Sequence, residues 1–75
     1  MPYNNKAMGM VIGRERVRQN MTQEQLSGLA GISRSHLAAL ESGEKSPKLE
    51  TIWRIAEALG TKPSRLIQMM EAKGE

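Results

Sequence analysis

The sequence predicts an all-α fold of five short helices, and three observations carry that expectation. Apolar residues recur at the 3.6-residue spacing of a helix face, as in Leu49, Ile52, Ile55, Ala56 and Leu59. Hydroxyl residues stand where helices would begin, Thr22 and Ser33 above all. Residues that tolerate a left-handed turn stand where helices would stop, at Asn20, Gly31, Gly43 and Gly60.

Composition sets the frame. Seventy-five residues make one domain with one small core. Phenylalanine is absent and only Tyr3 and Trp53 are aromatic, so that core has to be aliphatic with methionine. No run approaches the roughly 18 apolar residues of a membrane span, and Met1 to Lys6 lacks the apolar stretch of a secretory signal. There is no cysteine, hence no disulfide framework and no thiolate metal site. A cytoplasmic location without membrane attachment is the expectation. The net charge of +3 and a pI of about 9.7 permit a polyanionic partner without requiring one.

Taken in order, residues 1–6 read as a disordered polar arm. The first helix is expected from Ala7 to Gln19, with Met8, Val11 and Ile12 facing inward and Val17 near its end. Gly9 and Gly13 weaken it by roughly 0.5–1 kcal/mol each, and their spacing admits a neighbouring helix at close range. Asn20 stops it. Thr22 and Gln25 then form a capping box, and Leu26 and Ala30 make an apolar face that ends at Gly31. Ile32 is a turn hydrophobe. Ser33 caps the third helix, which buries Leu37 and Leu40 and closes at Ser42-Gly43. A polar loop, Glu44 to Lys48, follows, and Pro47 keeps Ser46 from helical angles, so the fourth helix begins after it. Pro63 suits the first turn of a last helix carrying Leu66, Ile67, Met69 and Met70. The expected organisation is a single domain over residues 7–70 and a charged tail over 71–75, with no repeat and no linker.

Counted from Gln23, a small residue falls fifth (Ser27) and glycine ninth (Gly31). Apolar residues fall fourth, eighth, tenth, fifteenth and eighteenth (Leu26, Ala30, Ile32, Leu37, Leu40). That register resembles the helix-turn-helix of the phage Cro and repressor (XRE) family of DNA-binding domains, from roughly Val11 to Met70. The phrase P-K-L-E-T-I-W-R-I-A-E-A-L-G resembles the fourth helix of the same family. Two departures are Ser27, where the family usually has alanine, and Glu15, where it often has an apolar residue. Serine is small enough to fit, and its hydroxyl can back-bond within the helix.

The resemblance implies a compact five-helix, lambda-repressor-like domain whose second and third helices form the helix-turn-helix. It implies a sequence-specific transcriptional regulator, similar to phage repressors and restriction-modification controllers, that binds double-stranded DNA as a homodimer with the third helix in the major groove. The rival reading is an antitoxin or protein-binding adaptor, with a toxin or another regulatory protein as partner.

The candidate base contacts are Ser33, Arg34, Ser35, Ala38 and Ala39, outward on the third helix. Arginine can bond bidentately to guanine, so Arg34 is the specificity candidate, with a phosphate contact as its other role. Ser35 suits a base or a phosphate, and the alanines suit a thymine methyl. For the DNA backbone the candidates are Gln23, His36, Ser42, Lys45, Lys48 and Arg16. Gln23 opens the second helix, where free N–H groups favour an anion and the family places a glutamine on phosphate. Arg16 matches a family arginine that pairs with the glutamate matched by Glu41, while Arg14 and Arg18 read as a solvated basic face. Leu66, Ile67, Met69 and Met70 are the candidate dimer interface, with Trp53 at its border. His36 is the only histidine, so neither a His–thiol dyad nor a metal set can be assembled. No enzyme, cofactor or metal is expected.

Overall fold

The computed structural model describes residues 3–73. Its elements are α1 (Asn5–Arg18), α2 (Gln23–Ala30), α3 (Arg34–Glu41), α4 (Leu49–Ala58) and α5 (Pro63–Lys73), with no strand among the described residues. The fold class is the expected one. Four of the five helices start for a local reason, while α4 begins after Lys48 with no side-chain cap bond. Asn4 caps α1, its side-chain oxygen accepting the Ala7 N–H at 3.1 Å. Thr22 and Gln25 close the capping box of α2 in both directions, at 3.0 and 2.8 Å. Ser33 caps α3 by accepting the His36 N–H at 3.0 Å, and Pro63 is the first residue of α5.

The first four helices also stop alike. After α2, Gly31 takes a φ of 72°, a conformation that a Cβ would strain. Ile32 can then donate back to the Ser27 carbonyl at 3.0 Å, a six-to-one closure. Left-handed Asn20, Gly43 and Gly60 repeat this turn. Their following residues close on Arg16 (3.0 Å), Ala39 (3.0 Å) and Ala56 (2.9 Å). Helix lengths are therefore set by bonds within six residues.

Packing pairs α1 with α3 and α5, α2 with α3 and α4, and α4 with α5. The side chains of Met8, Ile12, Leu26, Leu37, Leu40, Ile55 and Leu66 are closed off completely, an aliphatic and methionine core as composition required. The tightest crossing lies between α1 and the end of α3. A Cβ on Gly9 would stand 2.6 Å from the Glu41 carbonyl oxygen, with the Leu40 oxygen nearer still, so only glycine fits. At the far end of α1, the Gln19 amide donates to the Leu59 carbonyl at 2.8 Å. Ser27 is buried and donates to the Glu24 carbonyl at 3.1 Å, the expected back-bond. Among the described residues no helix is long and apolar enough to cross a membrane.

Four expectations need correction. The arm does not run to Lys6: α1 begins at Asn5 because Asn4 satisfies its first free N–H groups, and Met1 and Pro2 lie outside the described residues. The tail is helical through Lys73, with 74–75 outside the described residues. Val17 is 60% exposed because it lies on the face of α1 opposite Met8, and Leu49 is 63% exposed as the first residue of α4, at the edge of its apolar stripe. Finally, Leu66 and Met70 are core residues, at 0% and 5% exposure, and are spent within the protomer. Of the four interface candidates only Ile67 and Met69, half-buried, keep a share of the α5 surface.

Candidate nucleic-acid interface

Helix α3 divides its labour by face. Leu37 and Leu40 are fully buried and fix it against α1 and α2, while Ser33, Arg34 and Ser35 are exposed at its first turn. His36, Ala38 and Ala39 are half-buried along its flanks. The two serines are not equivalent. The Ser33 oxygen already accepts the His36 N–H, and it lies 3.3 Å from the Ser35 oxygen. Ser33 is therefore a cap before it is a base contact, whereas Ser35 is exposed and its hydroxyl is bonded to Ser33 alone among the described residues.

At the start of α2 the structure brings three sequence candidates together. Arg16, Gln23 and Arg34 line one surface depression with Met21, Thr22 and Glu24. The first helical N–H groups of α2 add the positive end of a helix dipole there. Below the depression Arg16 grips Glu41 in a two-bonded fork, Nε to Oε2 at 2.8 Å and Nη2 to Oε1 at 3.0 Å. Their side chains are only 16% and 10% exposed. The bond to Glu41 raises the Arg16 pKa further, against the opposing effect of burial. Its Nη1 donates to the Met21 carbonyl at 2.8 Å. With three of its N–H groups so engaged and its charge paired, Arg16 is first a tie between α1, the turn and α3.

His36 lies in the first turn of α3, and the other backbone candidates follow past its far end, beyond Glu41. Lys45 and Lys48 are exposed in the loop before α4. Ser42 donates its hydroxyl to the Ala39 carbonyl at 3.1 Å, which commits it to closing the helix. Sequence reasoning missed the third bond of the fork, from Gln23 Nε2 to Glu41 Oε1 at 3.1 Å. A signal existed: an Arg16 gripping Glu41 must bring that carboxylate beneath the turn that leads into Gln23.

Comparison with known proteins agrees with this arrangement. Residues 12–66 match the HTH_3 family, described as helix-turn-helix. The chain is 32% identical over 62 residues to the HTH-type transcriptional regulator y4dJ of Sinorhizobium fredii, covering 83% of this chain and 80% of that protein. It is 32% identical over 56 residues to the control protein C.SmaI of Serratia marcescens, covering 75% of this chain and 67% of that one. Among solved structures it is similar to the restriction-modification controller protein C.AhdI of Aeromonas hydrophila. There the TM-score is 0.80 at 30% identity, over 81% of this chain and 92% of the other.

Proposed function

The chain belongs to the HTH_3 helix-turn-helix family of DNA-binding transcriptional regulators, and from that premise we propose a repressor or controller that inserts α3 into the major groove as a homodimer. The observation that carries this reading is the exposed first turn of α3, where Arg34 and Ser35 stand over a fully buried Leu37. Base edges are read by polar groups that a rigid helix presents at fixed positions. Gln23 and the α2 start supply one backbone anchor, with Lys45 and Lys48 at the other flank. Dimensions support two copies. The described residues span 31 Å at most, and half-sites on one DNA face lie about 34–36 Å apart. Ile67 and Met69 are what α5 can offer to such a pairing.

Selection of bound duplexes from random DNA tests the reading, and Arg34→Ala sharpens it. Affinity on a selected duplex is expected to fall by about 1–3 kcal/mol, with preference relaxed at one base position. Equal loss on selected and random DNA would reassign Arg34 to the backbone. A wild type that enriches no sequence would favour the protein-binding adaptor, for which the exposed Leu49 and Trp53 on α4 are the supporting observation.

A further inference from the structure

Glu41 stands in an unexpected place for a carboxylate. It ends the helix that is read as entering the groove, yet its charge is turned away from solvent. The carboxylate lies against α1 beside Gly13, where a Cβ would come into ordinary contact with Oε1 at 3.4 Å. Arg16 then holds both oxygens, and Arg16 is itself held by the Met21 carbonyl. Oε1 accepts a second bond, from Gln23 Nε2, across 18 residues of chain.

We infer that Glu41 is a positioning residue for the backbone contact of Gln23: fixed by the Arg16 fork, it takes one amide N–H and leaves the other presented at the start of α2. The inference rests on the regulator reading. A primary amide has two N–H donors, and Oε1 uses one. An untethered glutamine would lose its rotamer freedom at every encounter with a phosphate; one already bonded to a fixed carboxylate has lost it beforehand. The same bonds tie α1 to the anchor on α2, so a change at Arg16 reaches the phosphate contact through two hydrogen bonds.

The sign of the effect makes it testable. A carboxylate near DNA repels it, so on charge alone Glu41→Gln should tighten binding. Positioning demands the opposite. The probe is a duplex recovered by wild-type selection from random DNA. Affinities of wild type, Gln23→Ala, Glu41→Gln and the double variant are measured where circular dichroism shows each folded. Glu41→Gln is expected to weaken binding about threefold to tenfold when Gln23 is present, and in the Gln23→Ala background, where only its charge effect remains, to leave binding unchanged or slightly tighter. Tighter binding when Gln23 is present, or the same loss in both backgrounds, overturns the inference. Should Glu41→Gln fail to fold, Glu41→Asp keeps the charge, withdraws the oxygen from Gln23, and is expected to show the same dependence. Without DNA, one Gln23 side-chain amide proton should exchange more slowly than its twin; equal, rapid exchange of both also overturns it. A wild type that enriches no duplex removes the regulator reading and this inference together, whereas enrichment with independent variants removes this inference alone.

Discussion

Two arginine–glutamate pairs in this small domain use the same chemistry to different ends. Arg54 and Glu50 stand one turn apart on the outer face of α4, 3.7 Å from each other, with side chains 50% and 78% exposed. Arg16 and Glu41 come from different helices, 25 residues apart, and meet in two bonds at 2.8 and 3.0 Å under the start of α2. The first pair is held by its own helix and bathed in water and salt, so its attraction is screened. The second sits over glycines that bring the helices close, so each charge has exchanged water for its partner. An ion pair gains worth from the backbone that confines it.

That contrast can be broken in four places. The largest effect is expected from removing the close approach itself. Gly9→Ala forces a methyl onto two backbone oxygens that cannot swing aside, and should cost about 3 kcal/mol in denaturant melts despite the better helix propensity of alanine. A stabilised or unchanged protein would mean that α1 and α3 separate freely. Next comes the inner pair: a double-mutant cycle on Arg16→Ala and Glu41→Ala should give a coupling of about 0.5–3 kcal/mol, and additivity would reduce it to a solvated contact. The same cycle on Arg54 and Glu50 should return no more than about 0.5 kcal/mol and vanish in molar salt. If the outer cycle equals the inner one, confinement is not what matters.

The smallest effect concerns pH. The Arg18 hydrogen bond, opposed by burial and helped by the charges of Arg18 and Arg65, holds the Glu15 carboxyl below its ordinary range. A carboxyl whose folded pKa is depressed contributes stability fully above its unfolded pKa and loses it as pH falls through the folded value. The melting difference between wild type and Glu15→Gln should therefore shrink on acidification through the carboxylate range. A difference that stays constant would show that the pair adds nothing to the fold.

What the sequence made legible follows the same division between local and distant. Caps, stops and stripes are short-range features, so α2, α3 and α4 could be placed from Thr22, Gly31, Ser33, Pro47 and Gly60 alone. Asn4 was equally local, and was passed over because a polar stretch preceding a helix looks the same with or without its cap. Leu49, Leu66 and Met70 were misjudged for a different reason. Periodicity tells which face of a helix is apolar, but not how far the neighbouring helices extend along it. For the candidate site, outward Arg34 and Ser35 and the Arg16–Glu41 fork were readable through the register. The Gln23 bond to Glu41 depends on three helices at once, and no spacing rule encodes it.

The six-to-one closures bear on time rather than on strength. Each of the first four helices is bounded by bonds between near neighbours in the chain, so its length is defined before any distant contact exists. A chain dominated by such contacts folds on the order of microseconds to milliseconds. The ties from Arg16 to Glu41 and from Gln19 to Leu59 span 25 and 40 residues and can close only once the helices have docked. Interactions made after the folding barrier leave the refolding rate alone and lengthen the lifetime of the native state. The left-handed helix ends are thus expected to bear on how quickly this protein forms, and the buried fork on how long it lasts.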